Sequence, residues 1–195
     1  MEETLEKFEI EESDRDLYGF WVYLMSDLLT FAVLFAAFAV LHNNIADGPS
    51  SSKFINLNFV FIETIILLTS SFTAGLATLA MNKEKKKSMF AWFGVTFLLG
   101  VTFLVMELNE FRNLILDGAG PSRSASFSSF FALVGAHGFH IFIGLLWMSV
   151  ACIIVNRQGL TIKNKSNLER LSLFWHFLGI VWIFIFTVVY LIGVL

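Results

Sequence analysis

The chain has 195 residues, room for one compact domain, and its 56% hydrophobic residues and mean hydropathy of +0.73 exceed the apolar share of a soluble globular protein. Charged residues make up only 15% and fall in short clusters instead of recurring at helical spacing, so the charge marks loops between apolar runs. One cysteine, Cys152, excludes an internal disulfide and any CxxC redox or metal site.

The first 16 residues, MEETLEKFEIEESDRD, carry eight acids, which excludes a signal peptide with a basic leading region and reads as an acidic, solvated tail. A transmembrane domain over 17–195 follows, with apolar spans at about 17–42, 56–81, 88–110, 125–156 and 171–194. A helix rises about 1.5 Å per residue and the hydrocarbon layer is about 30 Å thick, so about 20 residues cross it. The apolar/polar alternation of barrel strands is absent. The fold class is therefore an all-α membrane protein, a bundle of five transmembrane helices.

Between the first two spans, DGPSSSKF from Asp47 to Phe54 combines Gly, Pro and a serine run, and DGAGPSRS from Asp117 to Ser124 repeats that punctuation after the third span. The basic loop from Asn82 to Ser88 makes spans two and three antiparallel neighbours, and a longer connection, Asn156 to Arg170, leads to the fifth. Lys7, Arg15, Lys83, Lys85, Lys86, Lys87, Arg157, Lys163, Lys165 and Arg170 lie on one side, against Lys53, Arg112 and Arg123 on the other. That asymmetry predicts a cytoplasmic N-terminus and a periplasmic or extracellular C-terminus. Tyr18, Trp21, Tyr23, Trp92, Trp175 and Tyr190 stand near span ends and are read as interfacial anchors.

A charge at the bilayer centre costs about 2.5 to 3.5 kcal/mol on insertion scales, so each ionisable residue inside a span calls for a partner or a function. By helix rise, Asp27 lies about 15 Å from the N-terminal face and His137 at a similar level, so the two are expected to meet; His140 and His176 share a second layer. Glu107 and Glu110 occupy one helix face near its outer end, with Glu63 close below that surface, which groups three acids. His137 and His140 in GAHGFH have HxxH spacing, but metal needs further ligands. A haem between His140 and His176 is the competing chemistry. The simpler reading has the three histidines hydrogen-bonding neighbouring helices, with Gly135, Ala136, Gly138 and Gly144 allowing close approach. For Asp27, Glu63 and Glu107, a hydrogen-bonded carboxyl competes with a proton relay.

The stretches GFWVYLMSDLLTFAVLFAAFAVL (Gly19 to Leu41), ETIILLTSSFTAGLA (Glu63 to Ala77), GVTFLVMELNEF (Gly100 to Phe111), SSFFALVGAHGFHIFIGLLWM (Ser128 to Met148), RQGLT (Arg157 to Thr161) and LSLFWHFLGIVWIFIFTVVYLIG (Leu171 to Gly193) occur in order over nearly the whole chain. Through them the sequence resembles subunit III of the haem-copper terminal oxidases, most closely the five-helix form of bacterial cytochrome bo-type quinol oxidases. The resemblance implies a multi-pass protein of the bacterial inner membrane. It would be a non-catalytic subunit supporting subunit I in a complex that oxidises quinol, reduces oxygen to water and translocates protons. It implies no catalytic residue, no metal and no cofactor on this chain, with haems and copper in subunit I. The implied partners are subunits I, II and IV and membrane lipid, phospholipid among them, with no nucleic acid.

Asp27 in LMSDLLTF falls where the family carries a membrane-buried, carbodiimide-reactive carboxylate, and the resemblance makes it a supporting group. Glu63, Glu107, Glu110, His137, His140 and His176 become structural or complex-supporting residues. The family's WHFxDxxW appears here as WHFLGIVW, so Gly179 stands where an acid is typical, and the chain lacks the two extra helices that bound a lipid cleft in seven-helix members. The alternatives are a cytochrome c oxidase subunit of the same family, an independent haem-binding electron carrier, and a small transporter using Asp27 and Glu63.

Overall fold

A computed structural model describes the backbone of residues 2–42 and 57–191, with side chains from Arg15 onward. Five helices follow in order: α1 Glu2–Leu41, α2 Leu57–Asn82, α3 Lys86–Leu116, α4 Ala125–Gln158 and α5 Ile162–Ile185, the last continued by a π-helical segment, Phe186–Leu191. No strand occurs among the described residues, and all five helices are long and apolar enough to cross a membrane. Helix satisfies every backbone donor and acceptor within the segment, the condition a hydrocarbon environment imposes. The loop around Asp47 to Phe54, the first residue of the second span and the last residues of the fifth lie outside the described residues.

The ends of the helices have local causes. After α3, the Ala119 amide donates to the Leu114 carbonyl and the Gly118 amide to Ile115, with Gly118 at φ +76°, which is a Schellman closure with glycine in the left-handed position. The same pattern closes α2, Lys85 N to Ala80 O and Glu84 N to Met81 O, with Glu84 at φ +55° filling a place that favours glycine. Ser124 caps α4 by accepting from the Phe127 amide, and Thr161 caps α5 by accepting from Asn164.

Two boundaries differ from the sequence reading. The connection expected from Asn156 to Arg170 shrinks to residues 159–161, because Gly159 at φ +82° stops α4 and the Thr161 cap starts α5 nine residues before the apolar run. Hydropathy cannot detect those polar first turns, whose Lys165 reaches Glu84 at 3.0 Å and whose Arg170 reaches Asp16 at 2.9 Å. α3 likewise runs on to Leu116 through polar residues.

α5 is the hub, packing against α1, α2 and α4, while α1 rests on α4 and α5. Half of the most apolar stretch of α5 is buried, against 17% of that of α1, so α1 is the peripheral helix. The buried residues of α2 include Val60, Thr64, Leu67, Ser70, Ala74, Ala77 and Met81, spaced by three or four residues so that they line one face of the helix. On α5 the large buried rings Trp175 and Trp182 are one heptad apart, and Tyr190 follows eight residues later. The wider π turn between them takes up the extra residue and keeps Tyr190 on the same face. Trp175 and Tyr190 are thus core residues, 1% and 0% exposed, and not interfacial anchors as their positions near span ends suggested; Tyr18, Trp21 and Tyr23 are exposed as anchors would be.

Candidate functional site

The polar residues of the bundle form three groups. The first is a spine of hydroxyls and indoles that ties α2 to α3 and α5. Ser70 Oγ donates to the Thr96 carbonyl at 3.1 Å and accepts from Trp175 Nε1 at 3.0 Å. Thr73 and Thr96 share a hydrogen bond of 2.9 Å, Thr64 Oγ1 accepts from Trp182 Nε1 at 3.0 Å, and Thr78 donates to Ser172 Oγ at 3.0 Å. Without an aqueous driving force between helices, such bonds and close small-residue packing hold a bundle together in lipid. The sequence reading assigned this work to histidines and missed the spine. Its signal was present: small polar residues on the α2 seam, and tryptophans at i and i+7 on the helix that faces it.

The histidines do something else. His140 Nδ1 lies 2.7 Å from the Ala136 carbonyl and His176 Nδ1 2.7 Å from the Ser172 carbonyl, each one turn back on its own helix. Neither of these hydrogen bonds crosses between helices, because the i−4 carbonyl is the acceptor closest to a ring lying along the helix. His137 is 0% exposed, and neither ring nitrogen has a hydrogen-bond partner among the described residues. It sits in an aromatic box, 5.1 Å from the Trp182 ring, 5.9 Å from Phe103 and 6.4 Å from Phe31.

The second group forms around Asp27. The expected meeting with His137 does not occur; Asp27 Oδ2 stands 3.7 Å from His140 Nε2 instead, since His140 is the member of the pair that α4 turns toward α1. A carbonyl only accepts, so His140 Nδ1 is the protonated nitrogen and a neutral ring offers Nε2 as an acceptor toward Asp27. Tyr23 stands one turn earlier on α1, near enough for its hydroxyl to interact with the Asp27 carboxyl. The chain Tyr23, Asp27, His140 runs along the α1 edge, with Tyr23 46% exposed and the Asp27 and His140 side chains 16% and 18% exposed.

The third group is the expected acidic one. Glu107 on α3 is within electrostatic reach of Glu63 on α2 and of Glu110, whose carboxylate accepts from the Tyr190 hydroxyl at 3.0 Å. Glu63 and Glu107 are 0% and 1% exposed, and none of their four carboxyl oxygens has a hydrogen-bond partner among the described residues. The room comes from Gly138: a methyl there would stand 2.6 Å from Glu107 Oε1. His176 joins neither group and packs its Nε2 against Gly75. Among the described residues, no three His, Cys, Asp or Glu side chains are grouped as a metal ion requires.

Comparison with known proteins follows the same helices. The pattern of the family described as cytochrome c oxidase subunit III matches residues 13–194. Cytochrome bo(3) ubiquinol oxidase subunit 3 of Pseudomonas aeruginosa is 55% identical over 179 residues, covering 92% of this chain and 86% of that protein. Quinol oxidase subunit 3 of Bacillus subtilis is 41% identical, covering 96% and 92%, and cytochrome c oxidase subunit 3 of Alkalihalophilus pseudofirmus is 43% identical, covering 94% and 89%.

Proposed function

The chain belongs to the cytochrome c oxidase subunit III family, and from that premise we propose that it is subunit III of a respiratory haem-copper quinol oxidase in the bacterial inner membrane. The observation that carries the reading is the 55% identity to a ubiquinol oxidase subunit 3 across 92% of the chain. The complex oxidises quinol, reduces oxygen to water and translocates protons. This chain packs against subunit I, with subunits II and IV in the same assembly, and contributes no redox centre. Its exposed apolar faces, α1 above all, meet subunit I and phospholipid. The N-terminus and its acidic tail face the cytoplasm, with Lys83, Lys85, Lys86 and Lys87 at the α2–α3 turn beside them, in keeping with the excess of Lys and Arg there.

Within this reading Asp27 and His140 support the complex: a carboxyl at the edge of α1, held between Tyr23 and His140, meets the partner subunit or lipid without taking part in electron transfer. Glu63, Glu107, Glu110, His137 and His176 stabilise the bundle.

The test is a mild-detergent purification of the tagged chain from its native membrane, with reduced-minus-oxidised spectra of the eluate and of the chain stripped of partners. Haem and quinol-dependent oxygen uptake in the eluate, with a colourless stripped chain, are the expected result. Uptake driven by cytochrome c and not by quinol reassigns the chain to a cytochrome c oxidase, a family member of which is 43% identical. Haem retained by the stripped chain, or transport by that chain alone in vesicles, overturns the reading.

A further inference from the structure

Three carboxyls share one layer of the bundle, and among the described residues no cation pairs with them. Thr73 of α2 meets Thr96 of α3 across an antiparallel pair, so ten residues back along α2 Glu63 stands opposite position 106, beside Glu107, and Glu110 is one turn beyond. The groups facing this layer can be named from every helix around it. α2 supplies Glu63 and α3 supplies Glu107 and Glu110; the segment after α5 supplies Tyr190, which donates to Glu110. α4 supplies the bare backbone of Gly138, against which Glu107 fits, and its neighbour His137 faces Phe103 and Trp182. Arg112, on the same helix, is exposed, and among the described residues no ion pair involves any of the three acids.

A carboxylate only accepts hydrogen bonds, whereas a protonated carboxyl also donates one. Four fully buried oxygens without partners therefore lack donors, and the smallest donor that fits between two carboxyls is a proton on one of them. We propose that Glu63, Glu107 and Glu110 form a proton-binding site, in which protons shared between neighbouring carboxyls bind the layer together. The Glu110 and Tyr190 end is where those protons exchange with the surroundings. Glu110 is only partly buried and stands about 9 Å from the end of α3, whereas Glu63 and Glu107 are sealed. The site does not depend on the accessory-subunit reading.

Infrared spectroscopy of the detergent-purified chain, with whatever partners accompany it, tests the proposal. The Asp27→Asn form serves as background, which removes the carboxyl on α1, and the contribution of this layer is read from the difference between that form and each glutamate variant made in it. The expected spectrum has a protonated-carboxyl C=O band that shifts in D2O and loses intensity in Glu63→Gln and Glu107→Gln, whose amides keep the shape of a protonated acid and supply a donor. Glu110→Gln is expected to slow the D2O shift of the remaining band several-fold. A parent spectrum with carboxylate bands alone overturns the proposal, whatever the variants do. So does a protonated band that never exchanges in D2O, or one that survives both Glu63→Gln and Glu107→Gln unchanged.

Discussion

Glu107 and Asp27 are both single carboxyls inside transmembrane helices, yet Glu107 is 1% exposed and seated against the backbone of α4, whereas the Asp27 side chain keeps 16% of its surface open and leans on a histidine and a tyrosine. The difference follows from the helices that carry them. α3 lies in the α2, α3, α4 seam, where glycines let helices approach until a side chain is enclosed. α1 touches the bundle along one side only, and a group on its edge stays within reach of lipid or a partner subunit. The same insertion penalty is thus met by enclosure in one place and by a neighbouring ionisable group in the other. The enclosed layer is expected to be sensitive to volume and the edge layer to chemistry.

The seam should break most easily where a rigid ring is clamped from both sides. A methyl at Gly100 would stand 2.8 Å from Trp175 Cη2, and one at Gly144 would stand 2.9 Å from Cζ3 on the opposite edge. Trp175 cannot swing away without losing its 3.0 Å bond to Ser70. Gly100→Ala and Gly144→Ala should each cost about 3 kcal/mol, the upper end for overpacking, seen in detergent as a large fall in melting temperature. A fall no greater than that of an exposed-site substitution would show that the ring is not clamped.

Gly138→Ala is expected to cost less, about 1 to 2 kcal/mol, because the atom it strikes is the far end of the Glu107 side chain and not an indole. Its signature is coupling. In combination with Glu107→Ala the clash disappears, so the double variant should be more stable than the sum of the single costs by about 1 kcal/mol. Strict additivity in thermal unfolding would separate Gly138 from the acidic layer and remove the argument for enclosure.

Gly179 sharpens the comparison from the other side. A Cβ there would meet Ser71 at 3.6 to 3.7 Å, ordinary contact, and the residue lies inside α5. Gly179→Ala should therefore stabilise the protein by about 0.5 kcal/mol through helix propensity alone. Destabilisation would mean that close approach accounts for the glycine.

Much of this was legible in the residues. Five spans, the α2–α3 pairing and the grouping of Glu63, Glu107 and Glu110 follow from run length, a short basic loop and helix rise. The choice of His140 over His137 as the partner of Asp27 is not legible, because axial depth matches Asp27 to His137 and sets His140 one turn away, while rotation about α4 decides which ring faces α1. The early start of α5 was hidden because its first turns are polar and were counted as loop. Trp175 and Tyr190 resemble anchors in the sequence because an aromatic residue near a span end looks the same whether it faces lipid or core. What separates those cases is the identity of the facing residue, Ser70 for one and Glu110 for the other, and no single-chain pattern supplies that.

The edge layer gives the smallest change in stability and the cleanest change in chemistry. Asp27→Asn keeps the volume of the side chain and a partner for the Tyr23 hydroxyl, so its effect on thermal unfolding should stay within about 0.5 kcal/mol. A hydrophobic carbodiimide adds to a carboxyl from the lipid phase. It should label Asp27 in the parent protein and leave that position unmodified in Asp27→Asn, while the buried Glu63 and Glu107 remain unlabelled in both. Mass mapping of the adduct decides the matter. Label found on Glu107 and not on Asp27 would reverse the comparison, making the seam the open layer and the α1 edge the shielded one, which is the arrangement expected if a partner subunit covers Tyr23 and closes over Asp27 in the assembled complex.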